Sequence, residues 1–264
     1  MQEFEKLFNR KPINFKIDYK IFREKNILIT GWKGSIGRQL LKILKAENAN
    51  ITALDIESDL TKKKIINKLK NKKFDFVFHL AADKRATTAE SYPEVVSMQN
   101  IIITKNILNL KFKKLIFAST CKAADPITST GSSKLICERM VLHAGGTVVR
   151  FVNVFDSNFS VTRIWKKIKS GPIPVTDTKR FFIRLGESVD LMLKVAELKP
   201  HRYCIRNLKI FTMKNVARKL YPNRKLKKIE LRLGDRPVEK LVGSNEREVK
   251  VNNEISRIID CWGI

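Results

Sequence analysis

The sequence predicts an α/β fold with a doubly wound parallel sheet and a small C-terminal lobe. From Asn26 to about residue 155, apolar runs of strand length alternate with amphipathic segments of helix length. Short connections separate them, and this alternation is typical of parallel strands joined by crossover helices. A glycine-rich turn directly follows the first of the apolar runs. We therefore expect the ligand-binding edge of the sheet to start at this turn.

The stretch NILITGWKGSIG contains the turn, and its Gly31, Gly34 and Gly37 follow one another at three-residue intervals. A strand is predicted before it, and a helix is predicted over Ser35–Glu47. Backbone amides at such a helix start bind the pyrophosphate of a dinucleotide. The spacing points to the short-chain dehydrogenase version of the dinucleotide fold, with NAD or NADP as cofactor. The predicted phosphate-binding amides, besides the glycines, are those of Lys33, Ser35 and Ile36.

The elements that follow give the predicted sheet its remaining strands. Strands are predicted over Asn50–Asp55, Phe74–Ala82, Lys113–Thr120 and Gly146–Phe155, and helices over Ser58–Lys72, Pro93–Leu110 and Ser132–His143. Ligands of doubly wound folds bind at the carboxyl ends of the strands. The chemically interesting residues fall at such ends, namely Gly31, Asp55, Lys84, Thr120–Lys122 and Asn153.

Asp55 ends the second predicted strand, where an acidic side chain binds the adenosine ribose through its hydroxyl groups. A carboxylate there disfavours a 2′-phosphate, so NAD is favoured over NADP, although nearby lysines weaken the preference; an ordinary strand-end aspartate is the alternative. Ala81 and Ala82 end the third strand, and their small side chains leave room for a cofactor.

We expect three regions along the chain. Residues 1–25 form an apolar leader packed on the fold, residues 26–158 the dinucleotide-binding domain, and residues 159–264 a substrate-binding lobe interleaved with the last strands. In the last region, the pattern predicts helices over Val161–Ser170, Gly186–Leu198 and Met213–Leu220, and a loop and strand over residues 176–185.

Composition excludes several classes of protein. The longest apolar runs are far shorter than the roughly 20 residues of a membrane span, and the N-terminus carries charges where a signal peptide is apolar. We therefore expect a cytoplasmic protein. The four cysteines and three histidines show no metal-ligand spacing, so no metal site is predicted.

The net charge of +27 would attract polyanions, nucleic acid among them. Basic residues are spread along the chain, so compositional drift is the preferred explanation over a selected polyanion surface.

Six segments in order resemble the CapD-like nucleotide-sugar 4,6-dehydratases of polysaccharide biosynthesis, in the extended short-chain dehydrogenase/reductase family. They cover nearly the whole chain. They are FEKLFNRKPINF with the glycine turn, HLAADKRATTAESYPEVVSMQNIIITKNIL, LIFASTCKAADPITSTGSSKLICERMV, VVRFVNVFDSNFSV, VTDTKRFFI and GDRPVEKL. The resemblance implies an enzyme acting on UDP-N-acetylglucosamine. We also expect the protein to be a homo-oligomer. The connection between Asp55 and Phe74 is shorter than is usual in the family, which makes Asp59 an alternative adenosine contact.

The resemblance also implies site residues. Thr120, Cys121 and Lys122 stand where the family has Thr-Asp-Lys, and Thr130 stands where it has the tyrosine of Tyr-x-x-x-Lys, with the lysine kept as Lys134. Lys134 is expected to hold the nicotinamide ribose as well as to act in catalysis. The residues expected to bind the UDP-sugar are Lys84, Asn153, Arg180, Arg236 and Glu239.

Cys121 leaves two interpretations open. Nearby Lys122, Lys134 and a cationic nicotinamide would lower the pKa of the thiol and let it shuttle a proton. Alternatively, Cys121 is a small buried hydrophobe in a site that no longer eliminates water. The functional hypotheses are accordingly a 4,6-dehydratase, a UDP-sugar 4-epimerase or related oxidoreductase, and a catalytically silent scaffold that binds polyanions such as RNA.

Overall fold

The computed structural model describes residues 2–83, 85–158, 160–231 and 235–261. An eight-stranded sheet runs in the order β12-β13-β9-β5-β4-β3-β1-β2, and the first two of these strands are antiparallel to their neighbours. Its strands are β1 (Asn26–Thr30), β2 (Asn50–Leu54), β3 (Lys73–His79), β4 (Lys111–Thr120), β5 (Thr147–Phe151), β9 (Arg202–Ile205), β12 (Glu246–Lys250) and β13 (Ile255–Asp260). The predicted doubly wound α/β fold is confirmed.

Helices cover the sheet. They are α1 (Gln2–Phe8), α2 (Ser35–Ala46), α3 (Lys63–Leu69), α4 (Ala86–Ser91), α5 (Pro93–Leu108), α6 (Ser129–His143), α7 (Val161–Lys166), α8 (Leu185–Val195) and α9 (Met213–Leu220). Two buried clusters form the core around the sheet, one including Ile27, Ile29 and Leu40, the other including Leu28, Val77 and Phe117.

The strand order places a cleft between β1 and β3. In the order β2-β1-β3-β4-β5, chain connections leave β1 and β3 in opposite directions, which is the switch point where doubly wound sheets bind ligands. Residues 55–72 between β2 and β3 contain only the short helix α3 and no further strand. The predicted helix over Ser58–Lys72 is therefore too long. Its first part is a turn in which Asp59 accepts a hydrogen bond from the Thr61 amide.

The predicted strand over Gly146–Phe155 is two strands. β5 ends at Phe151, and Asn153–Val154 forms β6, which pairs with β8 (Lys179–Ile183) and not with the large sheet. β8 in turn pairs with β10 (Ile210–Thr212), while β7 (Ile173–Val175) pairs with β11 (Leu226–Lys228). This break carries Asn153 from the edge of the main sheet to the smaller one.

The leader residues pack at two places. Phe4, Leu7 and Phe8 join a third buried cluster with side chains from β7, β8 and α9, and Phe15 and Phe22 join the core of the large sheet. Among the described residues, no helix combines the length and the apolar character needed to cross a membrane.

Candidate functional site

The glycine turn after β1 has the geometry that a phosphate cradle requires. Gly31 has a φ of +73°, and a Cβ there would lie 2.8 Å from the Ala81 amide nitrogen. A Cβ on Gly37 would lie 2.5 Å from the Gly31 carbonyl oxygen, so α2 packs directly against the turn. The first amides of a helix have no partner within the helix and favour an anion. The turn therefore fits a pyrophosphate at the start of α2, where Ser35 and Ile36 lie. Two other predicted phosphate-binding amides already have partners, because the Lys33 N–H donates to Asp55 and the Gly34 N–H donates to the Gly31 carbonyl.

Asp55 fastens this turn to the end of β2. Its carboxylate accepts hydrogen bonds from the backbone N–H of Lys33 at 2.7 Å and of Ile56 at 2.8 Å. Asp59, the alternative adenosine contact, is exposed and accepts a hydrogen bond from the Thr61 hydroxyl within its own turn. Hydrogen bonds from Thr61 lower the pKa of Asp59. Asp55 is thus the carboxylate next to the predicted dinucleotide phosphates.

Polar residues that the sequence analysis did not single out hold the segment after β3. The Asn100 side chain, from α5, accepts from the Asp83 N–H at 2.8 Å and donates to the Asp83 carbonyl at 3.2 Å. The signal that could have found Asn100 was its position: it is an asparagine in the helix that follows the small residues Ala81 and Ala82.

His79, the last residue of β3, is fully buried and lies 2.8 Å from the Thr30 hydroxyl. Burial, together with the nearby Lys134, lowers the pKa of His79 to about 3, so its ring is neutral.

β3 ends at His79, so Ala81 and Ala82 lie in the segment after the strand and not at its end as predicted; the Ala81 N–H donates to the Thr30 hydroxyl at 3.2 Å. Lys84 lies outside the described residues, so its predicted sugar or phosphate contact stays a prediction.

The predicted catalytic block follows β4 as a single 3₁₀ turn over Cys121–Ala123. The Thr120 hydroxyl accepts a hydrogen bond from the Lys122 N–H at 3.3 Å and so caps the turn. Cys121 is 5% exposed and belongs to the core of the large sheet. Burial and the nearby Glu239 raise the pKa of the thiol, and Lys122 and Arg180 counteract them only in part. The expectation of a lowered thiol pKa is therefore wrong, because burial outweighs the nearby cations.

The Tyr-x-x-x-Lys remnant lies at the start of α6. Lys134 is 8% exposed; its Nζ donates to the Ala118 carbonyl at 2.9 Å and lies 4.3 Å from the centre of the Phe117 ring. The Thr130 hydroxyl oxygen is buried and has no hydrogen-bond partner among the described residues. Thr130 is thus too short to take over the interactions of a tyrosine phenol.

Beyond this block, a small cleft with a volume of about 20 Å³ lies between the 3₁₀ turn and β8. Lys122 Nζ lies 3.3 Å from Asp235 Oδ1 at its wall. Arg180 donates to the Arg236 carbonyl at 2.7 Å, and Arg236 donates to the Ala124 carbonyl at 2.8 Å. The lining residues are Cys121, Lys122, Ile127, Thr128, Arg180, Asp235, Arg236, Glu239 and Lys240.

Glu239 organises the buried side of this cleft. Its carboxylate accepts from the Asn153 side chain at 2.7 Å and from the Phe181 N–H at 3.1 Å, and it lies 3.4 Å from Arg180 Nε. Burial raises the pKa of Glu239, and Arg180 is the main group that opposes this. Asn153, Arg180 and the pair Arg236 and Glu239, from three distant segments, are thereby brought together with the Cys121–Lys122 turn.

Asp235 and Lys240 are cleft residues that the sequence analysis missed. Both flank predicted residues within GDRPVEK, which was the signal that could have found them. Lys240 Nζ lies 2.8 Å from Asp125, and Lys122, Arg180, Arg236 and Lys240 together outnumber the cleft's carboxylates. Such a cluster of guanidinium and ammonium groups suits the diphosphate of a nucleotide.

The fold and the cleft define a protein of the extended short-chain dehydrogenase/reductase class. Residues 47–260 match the family model described as polysaccharide biosynthesis protein. The chain belongs to this family and to its CapD-like branch, as its sequence motifs predicted.

Relatives extend the likeness over most of the chain. It is 31% identical over 267 residues to a UDP-N-acetylglucosamine 4,6-dehydratase (inverting) of Campylobacter jejuni, covering 86% of this chain and 80% of that protein. It is 33% identical to an uncharacterized membrane protein of Methanocaldococcus jannaschii, covering 67% of this chain and 64% of that protein's length. A UDP-glucose 4-epimerase of Rickettsia massiliae is 32% identical, with 67% of this chain and 64% of that protein covered. Among solved structures, Pen from Bacillus thuringiensis has the same fold, with a TM-score of 0.80 at 24% identity, covering 92% of this chain and 91% of that one.

Proposed function

We propose that the protein is an NAD- or NADP-dependent nucleotide-sugar 4,6-dehydratase that acts on UDP-N-acetylglucosamine for surface polysaccharide synthesis. One observation carries the proposal: the catalytic turn and the predicted substrate residues from three distant segments line or contact a single cationic cleft. The dehydratase relative, matched over 86% of this chain, supports the choice of substrate.

The dinucleotide, when bound, supplies the hydride acceptor and donor for C4 oxidation and C6 reduction. The turn with Gly31, Gly34 and Gly37 and the amides of Ser35 and Ile36 would hold its pyrophosphate, and Asp55, which also accepts the Lys33 N–H, would accept an adenosine ribose hydroxyl. Lys134, on α6, would hold the nicotinamide ribose, since its Nζ lies 2.9 Å from the Ala118 carbonyl near the end of β4. NAD is preferred, since the Asp55 carboxylate repels a 2′-phosphate.

The cleft residues bind the sugar nucleotide and move its protons. Arg180 and Arg236 bind the UDP diphosphate, with Arg180 held in place by Glu239 and Asn153. Elimination removes a proton from C5 and delivers one to the departing O6. Because the Cys121 thiol is buried and its pKa is raised, we assign the delivery of a proton to O6 to the Lys122 ammonium group. The Asp235 carboxylate, which pairs with Lys122 at the cleft wall, takes the proton from C5.

A UDP-sugar 4-epimerase is the second candidate. The observation that favours it is the missing acid: Cys121 stands where the family has the aspartic acid of Thr-Asp-Lys. An epimerase oxidises C4 in the same way but releases no water, so it needs fewer acid–base groups near C5 and C6. The Rickettsia relative, called an epimerase, supports this alternative.

Product mass separates the two candidates. Purified protein is incubated with NAD and UDP-N-acetylglucosamine, and the nucleotide-sugar pool is analysed by chromatography and mass spectrometry. A 4-keto-6-deoxy product lighter by one water is the expected result. An isomer of unchanged mass would establish the epimerase, and the absence of both products with UDP-N-acetylglucosamine and UDP-glucose, under NAD and NADP, would contradict the proposal.

Cys121→Asp is expected to raise the rate of elimination. Position 121 is buried beside Glu239, and both factors that raise the thiol pKa would also keep a carboxyl there protonated and able to donate to O6. A restored general acid contributes at least about tenfold in rate. Cys121→Asn, which has the same size and no acidic proton, is the control. Loss of activity in both variants would mean that the thiol itself takes part.

A further inference from the structure

The leader helix α1 packs against the end of β6, from which the loop of residues 156–158 starts. Phe155, the residue after β6, lies with its ring centre 5.6 Å from that of Phe4 and 5.7 Å from that of Phe8. Phe8 is 1% exposed and also stacks on Phe182 of β8 at 4.9 Å. The aromatic contacts of α1 therefore fix the position from which residues 156–158 begin.

A second contact joins the same two segments through a charged side chain. Lys166, the last residue of α7, lies 3.1 Å from Glu3 in the leader and 3.1 Å from Asp156 in the loop. Asp156 has a φ of +56°, a left-handed conformation that is rare for a residue with a Cβ and that fixed contacts must maintain. The ammonium group thus bridges the leader and the loop at its strained residue.

The loop reaches the phosphate cradle. The Asn158 N–H donates a hydrogen bond of 2.9 Å to the hydroxyl of Ser35, the first residue of α2. The Asn158 side chain accepts in turn from Arg163 of α7. Residues 156–158 consequently lie next to the helix start at which a pyrophosphate would bind.

The leader is also anchored at its other end. Arg10 forms two hydrogen bonds of 2.6 Å to the Glu187 carboxylate at the start of α8, and the Ile13 N–H donates to the same carboxylate at 2.8 Å. Glu187 is 3% exposed, so this anchor is buried and well defined. A segment fixed at both ends holds the loop more firmly than α7 alone.

We infer that residues 2–13 are a positioning strap that holds the loop 156–158 over the dinucleotide phosphates and slows the release of the cofactor. The inference rests on the proposed function, since it requires a dinucleotide at the glycine turn. Lys166, Glu3 and Asp156 act through the loop and touch neither sugar nor nucleotide base, so they are positioning residues. The substrate cleft, lined by Arg180 and Arg236, does not include them.

The bridge is tested by charge reversal. Lys166→Glu places a carboxylate against both Glu3 and Asp156, and the triple variant E3K/D156K/K166E restores attraction with inverted signs. Lys228→Glu is the matched control, because in the described part of the chain Lys228 pairs with the exposed Asp177 and with no other carboxylate. The dissociation rate of NADH is measured by the decay of its fluorescence after displacement by excess NAD, and UDP affinity is measured by calorimetry.

We expect Lys166→Glu to raise the dissociation rate about fivefold, which corresponds to about 1 kcal/mol and is reasonable for two partly exposed ion pairs. UDP affinity is expected to stay within about twofold, and the triple variant to return to the wild-type rate. Equal dissociation rates in Lys166→Glu and wild type, slower dissociation, or no restoration in the triple variant would overturn the strap. If wild-type protein binds neither NAD nor NADP, the proposed function fails together with it.

Discussion

Lys122→Met is expected to lower kcat by about 10²–10⁴-fold, the range of a general acid–base group. Lys122 lies in the turn that ends β4, and its ammonium group, 37% exposed, faces Asp235 across the wall of the cleft. Methionine keeps most of the side-chain length and removes the proton donor. Because the UDP diphosphate is assigned to Arg180 and Arg236, the affinity for UDP should fall by no more than a few fold.

Lys240→Met is the matched control for this variant. Lys240 lines the same cleft and also pairs with an aspartate, Asp125 at 2.8 Å, so its removal changes the local charge by the same amount. Its effect should appear in KM and leave kcat within about threefold of the wild-type value. Steady-state kinetics with UDP-N-acetylglucosamine and calorimetry with UDP separate the two parameters. Equal losses of kcat in both variants would show that the positive charge of the cleft matters and that Lys122 transfers no proton.

Local pattern was enough to predict the strand–turn–helix unit around Gly31. The strand before the glycine turn, the helix that starts at Ser35 and the carboxylate at Asp55 all depend on residues within one strand–turn–helix unit. Amphipathic periodicity likewise predicted the helix Met213–Leu220 with its observed bounds. In these cases tertiary contacts agree with the local preference and do not alter it.

The cleft beside the Cys121–Lys122 turn depends on contacts between distant segments, and no local pattern encodes them. Glu239 joins Asn153 and Phe181 over 86 and 58 residues of sequence. The raised pKa of Cys121 is a property of burial by the whole core, so neighbouring lysines in the sequence led to the wrong sign. The family motifs supplied the positions of Arg180 and Arg236, and the structure alone supplied Asp235 and the role of Glu239 as a support.

A buried ion network was also unpredictable from sequence. Arg150 of β5 and Arg202 of β9 share the carboxylates of Glu138 and Glu246, at distances from 2.6 to 3.0 Å for the closest pairs. Glu138 also accepts a hydrogen bond from Ser119 at 2.5 Å. In the sequence, nothing distinguishes these four charged residues from the surface charges of a basic protein. In the fold they join α6, two parallel strands and β12 at the antiparallel end of the large sheet.

Arg150→Met is therefore expected to lower the free energy of unfolding by about 3–5 kcal/mol, because it leaves buried carboxylates without their main partner. The Arg150 side chain is fully buried and contacts both Glu138 and Glu246. Arg247→Met, on the exposed face of β12, is the control, and its effect should stay within about 0.5 kcal/mol. Urea denaturation followed by circular dichroism measures both values. A change for Arg150→Met as small as that of the control would show that the network contributes no net stability.

The same network predicts a dependence on pH. Burial acts to raise the pKa of Glu246, but hydrogen bonds and charge from Arg150 outweigh burial and hold the pKa below its ordinary value of 4.5. A carboxyl with a lowered pKa in the folded state stabilises the protein above its unfolded pKa, and this stability is lost as the pH falls through the folded pKa. The stability difference between wild type and Arg150→Met should consequently be largest near neutral pH and decrease below about pH 4.5. A difference that stays constant from neutral pH to well below that value would show that Arg150 stabilises the sheet by packing its side chain and not through its charge.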